Sequence, residues 1–585
     1  MGLFLLLPLS FIYILFVHLF LPNLGGTILH PREYFIWILI LVILWLALLS
    51  VLKSGRLTLP DGRIPFLLFI LLSISSILFN PLLNKELFLI QSVHTFAIFF
   101  IWIALHQFGL NKSLKDRILF LIFLSAGIES VIGLFQISEF FRFLPITPVF
   151  QEGIVWGVFQ QKNLFGTFVA LGLLVSLYLI TLPSLGRFLR GSLFVIGFSL
   201  SMNLVFANSR AAWLGFIFGA FLMLLARYRI YRVFLNRLAL WALVVLTGAV
   251  LGIVLYGGSK DYEKALLQRE SSNAQRVLML KTSWEMFKEK PLFGHGFGNF
   301  ESLYMYYQAK VIEKEKEYSK YVGGFVSHPH NEIAFIAVQS GVMGLLGFSL
   351  VFISFFRKIL SLGIQKGGLY ASLLMPFLVH ALVEYPMELS VVHYFTFIVL
   401  LSFISSHGCT VKELKIGSKT RVSAVAVATV LLLIGIFWFS KTFVDYMRMT
   451  LFTVEAEKGK FRPELIEGAR KNTYLKNWAN AIYWIEKVKV ALKEKGTHAV
   501  ESFILWAEKE KIRRPLKEVF YLEALALSFL GERNKNLTLM DESMKVVEEG
   551  LRLYPNYIEL KEVKSTIVAK AVKVMVDYYR GKRNE

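Results

Sequence analysis

Apolar runs of roughly 20 residues recur along the chain from Leu3 to about Ser440. A helix needs about 20 apolar residues to cross the hydrocarbon core of a bilayer. Lipid offers no partners for backbone polar groups, so these runs are predicted to be α-helices. The chain is 56% hydrophobic and 18% charged, which excludes an ordinary soluble globular protein. The sequence therefore predicts an all-α, polytopic membrane helical bundle.

The apolar runs divide the chain into two predicted domains. Residues 1–440 form a transmembrane domain, which includes a charged loop at 257–331, and residues 441–585 form a soluble helical domain. We expect about 12 to 13 membrane spans. The candidates are residues 3–22, 33–52, 64–80, 87–107, 117–138, 163–182, 190–207, 209–226, 238–256, 332–356, 367–384, 391–406 and 422–440.

Basic residues are concentrated in alternate loops of the transmembrane domain. The loops after the even-numbered spans hold 19 bases and three acids, which supply +16 of the net charge of +22. By the positive-inside rule these loops are cytoplasmic. The loop 257–331 then lies on the outer side, where its 11 bases nearly balance nine acids. A nucleic-acid partner, which the net charge alone would suggest, is therefore not expected.

The region after Lys441 has the composition of a soluble helical domain, with charges of both signs and few glycines. An odd number of spans puts it on the same side as the loop 257–331. Residues 521–531 and 550–556 carry the small residues and terminal proline of a tetratricopeptide helix pair, although such solenoids need about three repeats. The region is either an ordinary domain that caps the bundle or a platform for a protein partner.

The loop 257–331 carries side chains suited to catalysis near its end. His328, His330 and Asn331 come immediately before a new apolar run. A neutral imidazole can take a proton from a sugar hydroxyl near neutral pH, so His330 is a candidate general base. The alternative is a structural histidine beside Asn331 as a helix N-cap. Upstream, Arg276 and Trp284 share one face of a predicted helix, where a solvated arginine is the ordinary alternative.

Further polar residues lie at the outer ends of spans. Arg210 lies between two spans where the charge rule predicts few bases, and an arginine at a membrane edge is costly enough to suggest a function. Its guanidinium would suit a diphosphate at the bilayer surface, with snorkelling to lipid headgroups as the alternative. Lys162 begins the sixth span and could add a positive charge. His380 and Glu384 share a face of the eleventh span, in a structural or a functional role.

A metal or nucleotide site has little support in the sequence. The single cysteine, Cys409, excludes a multi-cysteine metal site. His295, His328 and His330 could form a histidine site, with only Glu332 as a nearby acidic ligand. The sequence has no Asp-x-Asp pair and no Walker A loop, so a nucleotide-sugar or ATP mechanism has no visible phosphate cradle. We therefore expect no metal and no cofactor.

The order of these motifs resembles the O-antigen ligase and polymerase superfamily, polytopic bacterial glycosyltransferases that use undecaprenyl-diphosphate-linked glycans. The resemblance covers residues 60–400 and rests on the segments 209–215, 291–298, 330–332 and 341–347 with Arg276 and Trp284. It implies a GT-C-like bundle in which Arg210 and Arg276 hold the diphosphate and His330 is the base or binds the acceptor. The residues expected to contact substrate are Arg210, Arg276, Lys162, His328, Asn331 and Trp284.

The resemblance implies an inverting transfer of a glycan from undecaprenyl diphosphate to a lipid A-core sugar hydroxyl, at the periplasmic face of the bacterial inner membrane. The helical extension after residue 440 departs from ligases of this kind, so a growing polysaccharide or a protein stays open as the acceptor. A transporter of lipid-linked glycans would also explain the bundle and its arginines. It would not require a base in the outer loop.

Overall fold

The computed structural model describes residues 2–25, 30–137, 155–257 and 261–583, with the backbone alone at 256–257, 261–270 and 577–583. Residue 138, the predicted end of the fifth span, residues 258–260 of the predicted loop and residues 584–585 of the predicted helical domain lie outside the described residues. Within those ranges nearly every element is a helix.

The structure contains 23 α-helices in its described ranges. The first ten are α1 (Gly2–Ser10), α2 (Pro31–Ser54), α3 (Arg63–Ile74), α4 (Lys85–Leu105), α5 (Lys112–Ile137), α6 (Lys162–Leu179), α7 (Arg187–Phe206), α8 (Arg210–Ala226), α9 (Tyr228–Val233) and α10 (Leu235–Gly257). The others are α11 (Asp261–Glu289), α12 (Phe300–Lys314), α13 (Glu332–Ser361), α14 (Gly363–Ala381), α15 (Pro386–Leu389), α16 (Val391–Ser405), α17 (Ser418–Glu457), α18 (Glu467–Lys471), α19 (Lys476–Glu494), α20 (Thr497–Arg513), α21 (Lys517–Arg533), α22 (Leu537–Leu553) and α23 (Ile558–Arg583).

Eight helices of the described chain are long and apolar enough to cross a membrane. They are α2, α4 with the 3₁₀ turn that follows it, α5, α6, α7, α10, α13 and α17. Four shorter apolar helical segments, at Gly2–His18, Arg63–Phe79, Arg210–Ala226 and Val391–Ser405, match further predicted spans. The remaining predicted span, 367–384, coincides with α14, which ends at Ala381. The prediction of an all-α, multi-pass membrane protein is confirmed.

Two short strands mark one end of the bundle, which we call the basic end. The strand β1 (Arg56–Leu59) pairs antiparallel with β2 (Thr410–Glu413), and both lie in loops that the charge pattern assigned to the same side. At the opposite end, the starts of α6 and α8 meet through a hydrogen bond between Ser209 and Asn163. The start of α16 meets that of α2 through Glu33 and the backbone of Val391. We call this opposite end the site end.

The predicted loop 257–331 folds into two helices, α11 and α12, and the helical domain packs on the second of them. Phe300, Tyr304 and Met305 of α12 share one buried apolar cluster with Phe520 and Met540 of the helical domain. Exposed polar contacts extend this interface, including an ion pair between Glu313 and Arg552 with an O–N distance of 2.6 Å. The predicted tetratricopeptide pair coincides with α21 and α22, which pack against each other; its assignment to that repeat family stays a prediction.

The helix α17 connects the bundle to the helical domain without a break. It runs for 40 residues, and the proposed division between residues 440 and 441 falls inside it. Its first half packs on α2, where Trp45 donates a hydrogen bond to Thr429. Its second half buries Tyr446 and Met449 in an apolar cluster with α18 and α19. The same helix therefore belongs to both parts of the protein.

Candidate active site

His330 lies just before α13 and faces the carboxylate of Glu384. His330 Nδ1 is 3.0 Å from Glu384 Oε2, which belongs to the turn after α14. A carboxylate at this distance keeps Nδ1 protonated, so in the neutral ring Nε2 carries the lone pair. The His330 side chain is 28% exposed, so solvent or a substrate can reach it. The pair has the geometry of an imidazole base oriented by an acidic group.

The backbone around His330 is unusual and is held by its neighbours. His330 has φ +53°, a left-handed conformation that is uncommon for residues other than glycine. Its N–H donates to Nδ1 of His328 at 3.0 Å. Asn331 caps α13 by accepting from the N–H of Ala334 and donates from Nδ2 to the carbonyl of Leu382. Asn331 therefore ties the histidine segment to the turn that carries the acidic partner.

Both predicted arginines make contacts that involve α11: Arg276 belongs to this helix, and Arg210 binds to it. Arg276 Nη2 is 3.3 Å from Glu384 Oε1, and its side chain is 27% exposed. Arg210, the first residue of α8, is exposed and donates from Nη2 to Asn273 Oδ1 at 2.6 Å. Asn273 precedes Arg276 on α11 by one helical turn. A single helix of the former loop thus contacts the Glu384 carboxylate and the start of α8.

Two amide side chains at the start of α6 complete the surroundings of Glu384. Gln161 donates to Glu384 Oε2 at 3.2 Å and Asn163 donates to Oε1 at 3.3 Å. Asn163 also accepts a hydrogen bond from the hydroxyl of Ser209 at 2.7 Å. Ser209 is the N-cap of α8, the helix that begins with Arg210. Asn163 therefore connects the start of the Arg210 helix to the carboxylate that binds His330.

The turn that leads into α6 is fixed by buried polar side chains of α2 and α5. Arg32 donates to the carbonyl of Val158 at 2.6 Å, and Glu129 accepts from the N–H of Val158 at 3.2 Å. Gln136 bonds both backbone polar groups of Gly157. A buried backbone must find such partners, because an unpaired polar group costs about 1–3 kcal/mol. These contacts set the position from which the α6 amides reach the carboxylate.

The electrostatics of Glu384 favour its ionised form. Burial raises the pKa of this carboxyl group, which is 7% exposed. The hydrogen bond from His330, with the charges of His330, His380 and Arg276, outweighs burial and lowers the pKa to about 2. Glu384 is therefore a fixed negative charge that can orient His330 and stabilise its protonated form.

The remaining predicted contact residues occupy different positions. Lys162 is the first residue of α6, half-buried, and stands between the two amides that bond Glu384. Trp284 lies two turns beyond Arg276 on α11, is 58% exposed, and stacks on Phe287 at a centroid distance of 5.7 Å. Among the described residues, that stacking is its only aromatic contact, and Trp284 is not brought to the cluster around Glu384.

The three histidines that could have formed a metal site do not meet in the described chain. His295 Nε2 is 2.8 Å from the carbonyl of Met286, away from the others. Instead, His328, Glu332 and Glu388 lie together, each with one potential ligand atom within 4.8 Å of the others. His328 accepts a hydrogen bond at Nδ1, so the proton of its neutral ring is on Nε2. That nitrogen has no lone pair for a metal, and the cluster does not fit one.

Two protein families match the chain. Residues 193–349 match the family described as O-antigen ligase, and residues 369–559 match the family described as virulence factor membrane-bound polymerase, C-terminal. The protein belongs to the O-antigen ligase and polymerase superfamily. No curated protein matches the chain.

The two matched regions divide the site of this superfamily member between them. Arg210, Arg276 and His330 lie in the first region, and Glu384 lies in the second. The second region also includes most of the helical domain, the part that departs from ligases in the sequence comparison. Family membership supports a membrane glycosyltransferase of the ligase or polymerase type that acts on lipid-linked glycans. From the sequence alone, the role of the Glu384 carboxylate stays open between a structural and a functional one.

Proposed function

We propose that the protein is a metal-independent, inverting glycosyltransferase that moves a glycan from undecaprenyl diphosphate to an acceptor hydroxyl. The observation that supports this most is the position of Glu384, which contacts His330 through one carboxylate oxygen and Arg276 through the other. The proposed base and the proposed phosphate-binding guanidinium are thus held on one carboxylate, the kind of proximity that a displacement at an anomeric carbon requires.

In the proposed reaction, His330 Nε2 takes the proton of the acceptor hydroxyl. The oxygen attacks the anomeric carbon from the face opposite the diphosphate and forms a new carbon–oxygen bond. The bond between the anomeric carbon and the diphosphate oxygen breaks, and its electron pair leaves with the undecaprenyl diphosphate. Glu384 stabilises the imidazolium that results, because its charge faces Nδ1. The single displacement inverts the anomeric centre.

The two arginines have separate parts in this reaction. Arg276 uses Nη2 for Glu384, and the other donors of its guanidinium fork can bind an oxygen of the diphosphate. Arg210 is held by Asn273 at the start of α8, where the helix dipole also favours an anion. Fixed donors that meet the developing charge on the leaving group are usually the largest catalytic contribution.

The resemblance to O-antigen ligases favours a lipid A-core sugar as the acceptor. The match to a polymerase family over residues 369–559 favours a growing polysaccharide as the second candidate. The enzyme is proposed to lie in the bacterial inner membrane. The basic loops would face the cytoplasm, and the site end and the helical domain would face the periplasm.

The test uses purified protein in vesicles that contain undecaprenyl-diphosphate-linked glycan on the site side. Incubation with lipid A-core, with the lipid-linked glycan alone, or with a serine- and threonine-rich peptide should give a glycosylated product in one case, in the presence of a strong chelator. The His330→Ala variant is the matched control without a base. A protein that moves the glycan across the vesicle membrane and forms no product would be a transporter, and the proposal would be wrong.

A further inference from the structure

Beside the proposed base lies a group of polar side chains that the reaction above does not use. We call it the His328 cluster; it consists of His328, Glu332 and Glu388. His328 is 1% exposed, and the Glu332 side chain is 22% exposed, so the cluster is buried at its histidine and reachable at its acids. Two atoms in it, His328 Nε2 and Glu332 Oε1, are buried without a hydrogen-bond partner. Buried polar atoms are rarely left in this state.

The hydrogen-bonding roles of the cluster follow from its contacts. Burial lowers the pKa of His328 to about 3, so the ring is neutral. Its Nδ1 accepts from the N–H of His330, which makes Nε2–H a donor. Nε2 is 3.8 Å from Glu332 Oε2, beyond hydrogen-bonding distance. Burial, together with the nearby charges of Glu332 and Glu301, raises the pKa of Glu388 to about 7 against the opposing effect of His328.

These roles restrict what can occupy the space between the three groups. A cation would be attracted by the carboxylates but would face the N–H of His328 instead of a lone pair. A peptide carbonyl oxygen can only accept, and a peptide N–H can only donate. A hydroxyl group does both with one oxygen: it accepts from His328 Nε2–H and donates to a carboxylate of Glu332 or Glu388.

Aromatic side chains hold the histidine of the cluster in place. The His328 ring stacks on Tyr385 at a centroid distance of 4.1 Å and contacts Phe335 at 4.2 Å, so it is fixed in orientation. The ring of His330 lies against the same Tyr385, at 5.2 Å. The unpartnered donor and the proposed base are thus held by one aromatic side chain.

We infer that the His328 cluster is an acceptor subsite, which binds a second hydroxyl of a sugar whose neighbouring hydroxyl is presented to His330. The acceptor is then a saccharide with at least two hydroxyls close together, and not an isolated serine or threonine side chain of a protein. This inference rests on the proposed function for the reaction, but the binding it requires does not need the donor.

Binding is tested first, on the full-length protein without donor. Saturation-transfer NMR is recorded with two free saccharides, the oligosaccharide released from lipid A-core and the one released from the lipid-linked glycan. At least one should give a signal with the wild type and with Glu317→Gln, which alters an exposed acid between α12 and α13. At a pH well above 7, where Glu388 is ionised, Glu388→Gln should reduce its affinity severalfold, because a carboxylate oxygen is a stronger hydrogen-bond acceptor than an amide oxygen.

Transfer kinetics and a metal probe complete the test. For the accepted saccharide, Glu388→Gln should raise the acceptor KM by a similar factor and leave the donor KM unchanged. If saccharides bind but no transfer occurs, the subsite stands and the proposed function fails. The inference is overturned if the wild type binds neither saccharide, if Glu388→Gln binds as well as the wild type, or if only the serine- and threonine-rich peptide accepts the glycan in the transfer assay. Stoichiometric Mn²⁺ binding that Glu388→Gln abolishes would also overturn it, in favour of a metal site.

Discussion

Glu384 and His330 are separated by 54 positions in the chain, yet their side chains lie 3.0 Å apart. The contact joins the turn after α14 to a residue two positions before the start of α13, and the same carboxylate contacts Arg276. An acidic group beside one imidazole nitrogen fixes the tautomer, so that the other nitrogen is the base. Glu384 is thus a positioning residue for His330 in the proposed reaction.

Replacement of His330 should separate a catalytic from a structural role. We expect His330→Ala to insert and to bind the undecaprenyl-diphosphate donor, but to lower turnover by about 10²–10⁴-fold, the usual effect of a positioned proton acceptor. His330→Gln should be nearly as inactive, because the glutamine amide can form hydrogen bonds but cannot act as a base. Partial rescue by glutamine, with lost expression or thermal stability in the alanine variant, would indicate a structural histidine.

Glu384→Gln should affect stability in a pH-dependent way. The carboxyl has its pKa lowered to about 2 in the folded protein, so its ionised form stabilises the fold at pH values above the ordinary carboxyl pKa of about 4.5. The contribution is on the order of 3 kcal/mol and is lost as the pH falls toward 2. Thermal unfolding of wild type and variant should differ at neutral pH and converge in acid. A constant difference across this range would mean that the ionised carboxylate is not the cause; Glu317→Gln is the control.

The span pattern was predictable because it depends on local apolar runs, whereas the centre of the site depends on contacts between distant segments. Arg276 and Glu384 are 108 positions apart, and neither position indicates the other in sequence. Gly341, with φ +61°, bends α13 at the point where the N–H of Val342 donates to the carbonyl of Pro291. The hydrophobic periodicity of the sequence does not predict this contact. The polar segment with His330 was recognisable because polar residues directly precede an apolar run.

Three variants can test whether Asn163 connects the start of α8 to the carboxylate of Glu384. Asn163→Ala removes the donor to Glu384, and Asn163→Asp puts a second carboxylate about 3.3 Å from the first, so both should lower turnover, the aspartate at least as much. Ser209→Ala removes the N-cap of α8, which costs about 1 kcal/mol of stability, but keeps the amide contact with Glu384. Initial rates and melting temperatures are measured for each. If Ser209→Ala is as inactive as Asn163→Ala, the helix start and not the carboxylate is what Asn163 positions.

Arg210→Lys should remain badly impaired although its charge is retained. A lysine ammonium cannot reproduce the two parallel hydrogen bonds of a guanidinium, and one charged hydrogen bond contributes about 1.5–3 kcal/mol. We expect turnover with the lipid-linked donor to fall at least tenfold. Arg552→Lys, which alters an ion-paired arginine of the helical domain, is the control and should stay close to wild type. Near-normal turnover of Arg210→Ala would make Arg210 a membrane anchor.

The orientation of the protein can be measured with single cysteines in a Cys409→Ser background. Lys316→Cys and Lys545→Cys should react with an impermeant thiol reagent in intact spheroplasts, and Arg232→Cys should not, because the basic loops are predicted to face the cytoplasm. All three positions are exposed, so access to the side chain does not limit the reaction. Protection of Lys545→Cys together with labelling of Lys316→Cys would put the helical domain in the cytoplasm.

Because α17 is one continuous helix, it couples the orientation of the helical domain to that of the bundle. A helix rises about 1.5 Å and turns about 100° per residue, so its 40 residues span about 60 Å, roughly twice the hydrocarbon core. One residue added near position 440 would therefore rotate the helical domain by about 100° about the axis of α17, whereas in a flexible linker it would only add length. The contacts of the domain with α12 would then fall out of register. Chain length in this helix is thus as strictly constrained as the identity of any side chain in the site.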